Sequence, residues 1–383
     1  MRQVRQSFFM SRRAISQLVF PSSFFLFSAV SLPAMGADTA GWEEIPIGGD
    51  AMCSDGSPFS IFVHRGGSGK LVFDFMGGGA CWDAATCNAV NATYSKKVPD
   101  VIGKWLPEAD GIYNRNRSEN QFRDDTHVMI PYCTGDVHWG SADHVYTTNA
   151  SISDGSKNSQ KTMIHHRGAV NAQAAIDHTL SQIITNPSRI FVTGCSAGAY
   201  GAIWWTPYIR RQSPWAQIIQ FSDSGAGILT PEFRHTGFKN WEVERSLPRW
   251  IPTLDLDAVA VLDLTMPQLY SAISSVNPTI RFSQFNALND IVQRFFYKSM
   301  GGDQHEWSGR LRQEMLTSRA TSLNFSYYIS PWDSHCIIPY ADFYGESKSE
   351  LQGQTFPSWL NSVLYSPLPI SEPCIGCAEE KTN

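Results

Sequence analysis

The sequence predicts an α/β fold, in which a doubly wound, mostly parallel sheet carries helices on both faces. Three observations support this prediction: the composition is that of a globular protein, short runs of strand-forming residues alternate with helical patterns, and glycine-rich turns join the two. Of the 383 residues, 42% are hydrophobic and 17% are charged, which excludes a disordered or fibrous main body. Sheets of this kind bind ligands at the carboxyl ends of their strands.

Seven apolar, β-branched or aromatic runs have the length and residue types of strands. They are Ser60–Val63, Lys70–Phe75, Val128–Tyr132, Arg189–Thr193, Gln217–Phe221, Thr279–Phe285 and Asn324–Ile329. Helical patterns are found at about Gly168–Ile184, Ala197–Arg211, Asn286–Tyr297 and Glu306–Arg319. Because strands that alternate with helices are joined by crossovers, the sheet is predicted to be mostly parallel and covered on both faces.

Three segments lack clear periodicity and are predicted to be excursions from this sheet. Lys96–Asp125 and Asn149–His165 are polar and are interpreted as surface segments. Thr230–Leu254 contains three prolines and two tryptophans, which favours a cap or loop beside a pocket over a core element. Since none of these segments has the composition of a linker, residues 37–383 are predicted to form one domain.

The first 36 residues have the pattern of an export signal. Four arginines precede an apolar stretch from about Leu18 to Leu32, and small residues precede a cleavage point before Ala37. Arg12-Arg13 hints at twin-arginine export, but the ordinary secretory route fits the following residues better. A membrane anchor is the alternative, which the prolines and serines within this short stretch disfavour. We therefore expect an exported protein, periplasmic or secreted.

The net charge argues against a nucleic-acid partner. The first 36 residues contain four arginines and no acidic residue, which leaves 26 basic and 35 acidic side chains and a net charge of −9 in the rest of the chain. Nucleic-acid binding requires a basic surface, which this balance does not favour. Since no other window is apolar enough to span a bilayer, we expect no stable membrane span after signal removal.

An even number of cysteines in an exported chain predicts disulfides. All eight follow the signal: Cys53, Cys81, Cys87, Cys133, Cys195, Cys336, Cys374 and Cys377. The sequence leaves their connectivity open among about 105 pairings, although Cys81 and Cys87 are close enough to close a small loop. Cys374-x-x-Cys377 is also compatible with zinc, but a second CxxC or a histidine pair at ligand spacing is absent from the sequence.

The strongest local signal is Gly194-Cys195-Ser196-Ala197-Gly198, a G-x-S-x-G motif between an apolar strand and a helix. In this context the serine lies on a sharp turn, and side chains at the small flanking positions would clash. The alternative is a glycine-rich turn without chemistry. The flanking strand and helix favour Ser196 as a nucleophile on an α/β-hydrolase-like sheet, where the acid and then the histidine follow the serine along the chain.

A nucleophilic serine needs a histidine base that a carboxylate orients. His335 follows the last predicted strand, in the loop position expected of that base, whereas His305 and His235 are predicted on a helix surface and in the cap. Asp290 follows a strand between the nucleophile and the base, which makes it a candidate acid. Its alternative role is a solvated carboxylate at a helix start. The rival acids are Asp223, Asp263 and Asp303.

A glycine-rich loop provides candidates for an oxyanion hole. Gly77-Gly78-Gly79 follow a predicted strand, as in the HGGG-type loops that donate N–H groups to an oxyanion, and Ala197 would donate from the other side. A phosphate-binding loop is the alternative. It is disfavoured because no G-K-[ST] follows the glycines.

These residues resemble the pectin acetylesterase family, which includes plant pectin acetylesterases and the animal deacylase Notum. The resemblance covers about Cys53 to His335. Five ordered blocks carry it: Gly77–Trp82 with Cys87, Pro131–Val137, Gly194–Gly198, Ser222–Gly225, and Asp290-x-x-Gln293 followed by Ser334-His335. Two positions depart from the pattern, since Ala199 replaces a glycine usual in plant members and the block with His138 and Trp139 differs from both versions.

The resemblance implies an α/β-hydrolase-like serine esterase that needs no metal or organic cofactor. It assigns the nucleophile to Ser196, the acid to Asp290, the base to His335, the oxyanion hole to Gly78, Gly79 and Ala197, and a disulfide to Cys81–Cys87. The implied substrate is an acetyl ester on pectin or a related polysaccharide. Another carboxylic ester, with a longer or lipid-type acyl group, and a catalytically silent sugar-binding homologue are the alternatives.

Three tryptophans next to the catalytic blocks are candidate walls of the substrate site. They are Trp82, Trp139 and Trp332. Aromatic rings suit the apolar faces of sugars, and core packing is the alternative role of each ring.

Overall fold

The structure is a computed structural model that describes residues 41–88, 92–151, 157–345, 354–366, 370–374 and 377. The described residues belong to one compact unit, Gly36–Asn383. The predicted export signal, residues 1–36, lies outside the described residues. Within the described residues, no helix combines the length and apolar character that a membrane span requires.

An eight-stranded sheet, in the order β1-β2-β4-β3-β7-β8-β9-β10, organises the described chain. Its strands are β1 Trp42–Met52, β2 Pro58–His64, β3 Leu71–Phe75, β4 Thr126–Ile130, β7 Arg189–Cys195, β8 Gln217–Asp223, β9 Arg281–Ala287 and β10 Phe325–Ser330. β1, β2 and β4 pair antiparallel, whereas β4, β3, β7, β8, β9 and β10 run parallel. The predicted mostly parallel sheet is confirmed, and all seven predicted strands belong to it.

Helices cover both sides of this sheet. In the described part of the chain they are α1 Gly168–His178, α2 Ala197–Gln212, α3 Pro231–Trp241, α4 Met266–Val276, α5 Ile291–Ser299, α6 Trp307–Thr321 and α7 Phe356–Tyr365. Buried side chains such as Phe73, Phe191 and Trp204 fill the space between the sheet and the helices. The β4, β3 and β7 strands are buried along almost their whole length, which explains why their sequences are rich in apolar residues.

Two parts of the sheet architecture differ from the sequence prediction. The edge strand β1 was not predicted, because most of its side chains are exposed and it contains two adjacent glycines. Asn149–His165, interpreted as an irregular surface segment, belongs largely to an antiparallel hairpin of β5 Ala142–Ser151 and β6 Lys157–His166. Its ladder of backbone hydrogen bonds does not require the apolar alternation by which a buried strand is recognised.

Thr230–Leu254, interpreted as a cap or loop beside a pocket, contains a helix with a buried end. Helix α3 begins there, with Thr230 as its N-cap and Pro231 in its first turn, and the ring of Trp241 at its end is fully buried. Proline at the start of a helix replaces an N–H group that has no helical partner, so this residue marks a helix start and not a loop.

The C-terminal segment covers part of the outer edge of β10. The backbone N–H of Glu372 donates to the carbonyl of Tyr327 at 2.7 Å, and the N–H of Ile329 donates to the carbonyl of Glu372 at 2.8 Å. This parallel bridge occupies backbone groups that the last strand of the sheet would otherwise present unpaired.

Candidate active site

Five parallel strands end at one edge of the sheet, and the residues that follow them form the candidate site. The strands are β3, β7, β8, β9 and β10. After them come Gly78, Ser196, Ser224, Asp290 and His335, in that order. Because parallel strands present their carboxyl ends at the same edge, the fold gathers residues that are far apart in the sequence.

Ser196 occupies a sharp turn between β7 and α2. Its backbone has φ of 59° and ψ of −122°, a conformation that non-glycine residues rarely adopt. Its N–H donates to the carbonyl of Asp223 at 2.8 Å, which ties the turn to the next strand. The turn also lies against the end of β3, since a Cβ atom at Gly198 would overlap the carbonyl oxygen of Phe75. The motif therefore forms the strained elbow that its sequence predicts.

Asp290 is fully buried and is the N-cap of α5. Its Oδ1 accepts hydrogen bonds from the N–H groups of Val292 and Gln293, both at 2.9 Å, and its Oδ2 accepts one from the Gln293 amide at 3.0 Å. The N-terminus of a helix favours this negative charge. Nδ1 of His335 lies 2.8 Å from Oδ2 and 3.0 Å from Oδ1. The carboxylate thus orients the imidazole.

The contact at Nδ1 leaves Nε2 of His335 as the nitrogen that can accept a proton. Nε2 is buried and has no hydrogen-bond partner among the described residues, so its bond to Ser196 is not formed in this structure. Both residues nevertheless line the same pocket. Burial lowers the pKa of His335, but the carboxylates of Asp290 and Asp223 outweigh this effect and raise it overall. His335 is therefore a stronger base than an isolated imidazole.

The glycine loop after β3 and the start of α2 meet at the pocket. Gly79 has φ of +80°, which favours glycine, and both Gly79 and Ala197 line the pocket. Ala197 is the first residue of α2, where backbone N–H groups have no partner within the helix. Gly78 precedes Gly79 and is held by a 2.8 Å hydrogen bond from the N–H of Ser95 to its carbonyl. This arrangement suits the binding of an oxyanion.

The pocket has a volume of about 70 Å³, and its walls are mainly apolar and aromatic. Besides Ser196, Ala197, Ser224 and His335, it is lined by Gly79, Ala80, Trp82, Val137, Trp139, Tyr200, Ile228, Leu229, Phe233, Phe238, Trp241, Val292, Gln293, Phe296, Met300 and Trp307. One water needs about 10–15 Å³ of such space, so the pocket accepts a group larger than a single methyl.

Two of the three candidate tryptophans line this pocket. Trp82 is buried and packs edge-to-face against Phe233, with ring centroids 5.0 Å apart. Trp139 is buried and stacks on Trp204 at 4.3 Å between centroids. Each of the two rings therefore lines the pocket and also packs in the core, so both roles that the sequence left open are filled.

Trp332 is not among the residues that line the pocket. Its carbonyl accepts a 3.0 Å hydrogen bond from the N–H of Asn289, and its ring lies 6.3 Å from that of Phe285. Trp332, the second residue after β10, therefore packs against β9. The loop reaches the pocket three residues later, at His335.

Four disulfides join all eight cysteines. They are Cys53–Cys133, Cys81–Cys87, Cys195–Cys336 and Cys374–Cys377. The Cys81–Cys87 pairing implied by the family resemblance is confirmed. The Cys374-x-x-Cys377 pair is oxidised, so it presents no thiolates to a zinc ion. Two clusters of described residues, Cys81, Cys87 and His166, and Cys195, Cys336 and His335, bring ligand-type atoms within 4.8 Å, but their cysteines too are disulfide-bonded.

The rival acids and bases have other environments. His235 and Asp263 form an exposed pair at 3.7 Å, and Asp303 caps the short turn that contains His305. None of these four residues lines the pocket. Asp223 does lie in the site, but its carboxylate binds backbone N–H groups of the loop after β10.

Sequence reasoning missed the helical walls of the pocket. Phe233 and Phe238 come from α3, while Val292, Phe296 and Met300 follow one another at intervals of four along α5 and its end. Residues four apart share a helix face, so this spacing could have indicated a common wall. Which residues lie opposite that face depends on the tertiary fold, and the spacing of residues within one helix does not specify the tertiary fold.

Comparison with protein families matches residues 46–240 to the pectinacetylesterase family. Among curated proteins, pectin acetylesterase 4 of Arabidopsis thaliana is 27% identical over 191 residues, which are 47% of this chain and 41% of that protein. Pectin acetylesterase 7 of the same plant is 28% identical over 211 residues, which are 53% and 49% of the two chains. The matched region thus spans less than half the length of these relatives.

Comparison with solved structures finds the same fold in the Wnt deacylase Notum from Drosophila. Its crystal form I superposes with a TM-score of 0.60 at 19% sequence identity, covering 88% of this chain and 97% of that one. Crystal form II gives a TM-score of 0.58 at 18% identity, covering 87% and 97%. At this identity the likeness establishes the α/β architecture.

Proposed function

The chain belongs to the pectinacetylesterase family, and on this basis we propose that it is an exported serine esterase that removes acetyl groups from pectin or a related polysaccharide. The observation that carries the proposal is the hydrogen bond between Asp290 and Nδ1 of His335, at the pocket that Ser196 also lines. A carboxylate, an imidazole and a strained serine at one pocket are the groups that acyl transfer to serine requires.

In the proposed mechanism, Nε2 of His335 takes the proton of the Ser196 hydroxyl as the serine oxygen attacks the ester carbonyl. Asp290 holds the ring with Nδ1 protonated and stabilises the imidazolium that forms. The imidazolium then gives its proton to the sugar oxygen as the C–O bond of the ester breaks, so that the sugar departs as an alcohol and the acyl group stays on Ser196. Water attacks this acyl-enzyme with His335 again as the base, which releases the carboxylic acid and restores the serine.

Charge on the carbonyl oxygen develops during both attacks, and backbone donors stabilise it. We assign this role to the N–H groups of Gly78, Gly79 and Ala197, because the glycine loop and the start of α2 meet at the pocket. Such donors act more strongly in a pocket with apolar walls than in water. These steps use groups of this chain, the ester and water.

Export is part of the same proposal. Four disulfides join all eight cysteines, which suits an oxidising compartment, periplasmic or extracellular. The proposed signal, residues 1–36, would be removed, and residues 37–383 would form the mature domain. The proposed partner is the ester substrate, and we propose no nucleic-acid partner.

A second candidate substrate is an ester with a longer acyl chain. The specific observation in its favour is the apolar wall formed by Phe233, Val292, Phe296 and Met300. Each methylene that such a wall buries contributes about 0.8 kcal/mol to binding. Of the three candidate tryptophans, Trp82 and Trp139 would contact the sugar or the acyl group, whereas Trp332 is left out of this role.

Two experiments test the proposal. A fluorophosphonate labels only an activated serine, so we expect labelling of the wild type and none of Ser196→Ala. Absence of labelling in folded wild-type protein would favour the silent sugar-binding homologue. For the substrate, kcat/KM on p-nitrophenyl esters should fall from acetyl to octanoyl, and acetate should be released from acetylated pectin or xylan. A steady rise with chain length and no acetate release would instead identify the longer-chain esterase.

A further inference from the structure

The loop that carries His335 is fastened to the turn that carries Ser196 by groups that take no part in the proposed proton transfers. We propose that the buried carboxylate of Asp223 and the Cys195–Cys336 disulfide together act as a brace that positions His335 for reaction with Ser196. The proposal rests on the proposed function and assigns Asp223 as a positioning residue.

Asp223 is fully buried at the end of β8, paired in register with Cys195 of β7. Its backbone carbonyl accepts the N–H of Ser196 at 2.8 Å. Its side-chain Oδ2 accepts the N–H groups of Ile337 and Ile338 at 2.7 Å and 2.8 Å. One residue thus binds the nucleophile through its main chain and the base loop through its side chain.

Ser224 extends this attachment by one residue. Its hydroxyl donates to Oδ1 of Asp223 at 3.1 Å and accepts the N–H of Cys336 at 2.9 Å. Three consecutive N–H groups of the base loop, those of residues 336, 337 and 338, therefore end on this pair of side chains. The carboxylate of Asp223 itself accepts two of these N–H groups and the Ser224 hydroxyl, and these three donors offset part of the cost of burying it.

The disulfide adds a covalent connection at the same place. Cys195 directly precedes Ser196, and Cys336 directly follows His335, so the bond joins the neighbours of the two reacting residues. Ser224 and Cys336 have φ of 56° and 65°, in the left-handed region that costs a non-glycine residue energy. Such a backbone persists where its surroundings hold it in place, which is what a brace does.

The brace also places a second negative charge near the base. Burial raises the pKa of Asp223 to about 6, against the opposing effect of its N–H donors and of His335, so the group is ionised at neutral pH. Among the described residues, the charged groups that act on His335 are Asp290, before α5, and Asp223, at the end of β8. Removal of either charge lowers the pKa of the imidazole.

The first test is Asp223→Asn, which keeps the size of the side chain. We expect kcat to fall about 10- to 100-fold because a displaced base reacts slowly, while KM changes little. The acidic limb of the pH–kcat/KM profile should move to lower pH, since one carboxylate no longer raises the pKa of His335. The matched control is Asp136→Asn, because Asp136 is equally buried, has its pKa raised to about 6 by burial, and binds the N–H groups of His138 and Gly168. The control should leave the acidic limb in place.

The second test removes the disulfide in the variant Cys195→Ala/Cys336→Ala. The control is Cys53→Ala/Cys133→Ala, which opens a comparably long loop, with a sequence separation of 80 against 141. Both variants should melt at a lower temperature, but only the first should lower kcat, by about 10-fold or more. This pair of variants also tests the brace if Asp223→Asn does not fold.

An NMR titration of the His335 ring in Ser196→Ala separates this inference from the proposed function, because it needs no turnover. Adding Asp223→Asn to that protein should lower the measured pKa of His335. An unchanged His335 pKa together with kcat equal to wild type in both brace variants would overturn the brace. Failure of the wild type to react with a fluorophosphonate would overturn the proposed function. The NMR titration would still test the brace, because it does not depend on activity.

Discussion

Gly198 lies so close to Phe75 that a Cβ atom at position 198 would overlap the carbonyl oxygen of Phe75. The contact brings the end of β3, and the glycine loop that follows it, against the serine turn. Gly198→Ala should therefore lower the free energy of unfolding by about 3 kcal/mol or more, because neither backbone can move without disturbing the sheet. Urea denaturation followed by circular dichroism measures the change.

The control for this prediction is Gly309→Ala. Gly309 is exposed in α6, and a Cβ atom there meets no heavy atom within 4 Å. Alanine should stabilise this helix by about 0.5–1 kcal/mol. Equal and small effects at both glycines would mean that the contact with Phe75 is looser than described.

Ser196→Ala and His335→Ala should each lower kcat for a small acetyl ester by about 10³- to 10⁶-fold, because nucleophile and base act as one unit. Since they act together, the double variant should be little worse than either single variant. Steady-state kinetics on folded proteins with unchanged circular dichroism tests this. A folded Ser196→Ala protein with near-normal turnover would remove Ser196 from the mechanism.

Asp290→Asn should lower kcat on the order of 10⁴-fold, since an amide that donates to Nδ1 holds His335 in the wrong tautomer. The Asn side chain retains an oxygen that can accept the N–H groups of Val292 and Gln293, so the α5 cap should largely survive. The thermal midpoint should accordingly change little, although kcat falls strongly. A rate equal to wild type would assign the acid to another carboxylate.

The acidic limb of kcat/KM should have its midpoint above about pH 6.5, because the carboxylates around His335 raise its pKa above that of free imidazole. As pH falls through this value His335 becomes protonated and cannot accept the serine proton. The free energy of unfolding depends on pH in the opposite direction. Protonated His335 stabilises the fold below pH 6.5, and this contribution is lost as pH rises through the folded-state pKa. A rate that is independent of pH between 5.5 and 7.5 would contradict the assignment of the base.

Opening the Cys81–Cys87 disulfide should impair activity more than stability. The bond closes a loop of only a few residues, so its effect on the unfolded chain is small. The loop begins two residues after Gly79 and contains Trp82, whose carbonyl accepts a 2.9 Å hydrogen bond from the side chain of Asn240. We expect Cys81→Ala/Cys87→Ala to lower kcat about 10-fold. The control variant Cys374→Ala/Cys377→Ala, which opens another small loop, should keep the wild-type rate. Equal rates in the two variants would mean that the Cys81–Cys87 disulfide does not contribute to activity.

How far the fold could be predicted depended on burial. Strands buried on both faces, such as Leu71–Phe75 and Thr126–Ile130, are rich in apolar residues and were recognised within a few residues. The exposed edge strand Trp42–Met52 and the polar hairpin were not, because backbone pairing holds them and leaves little pattern in the side chains. Helix α3 was missed because the proline at its start was interpreted as a loop signal.

The site could be predicted where its chemistry is local in the sequence. The turn around Ser196 has a motif of five residues, and Cys81–Cys87 followed from a family resemblance. The Cys195–Cys336 bond could not be selected from the sequence, because eight cysteines allow about 105 complete connectivities. The contacts of Asp223 with the loop after β10 depend on β8 lying beside β9 and β9 beside β10. Such contacts depend on which strands are neighbours in the sheet. The spacing of residues along a single sequence does not reveal this order.

The bridge between Glu372 and β10 also bears on the tendency of this sheet edge to pair with another copy of the chain. An uncovered edge strand can pair with the edge of another copy, and β10 consists of Phe, Tyr, Ile and Ser residues with no charge to prevent it. Chains cut before residue 370 would present the backbone groups of Tyr327 and Ile329 to a neighbour. Proteolysis of this segment is therefore expected to yield a protein that aggregates in concentrated solution while the residues of the proposed triad remain in place.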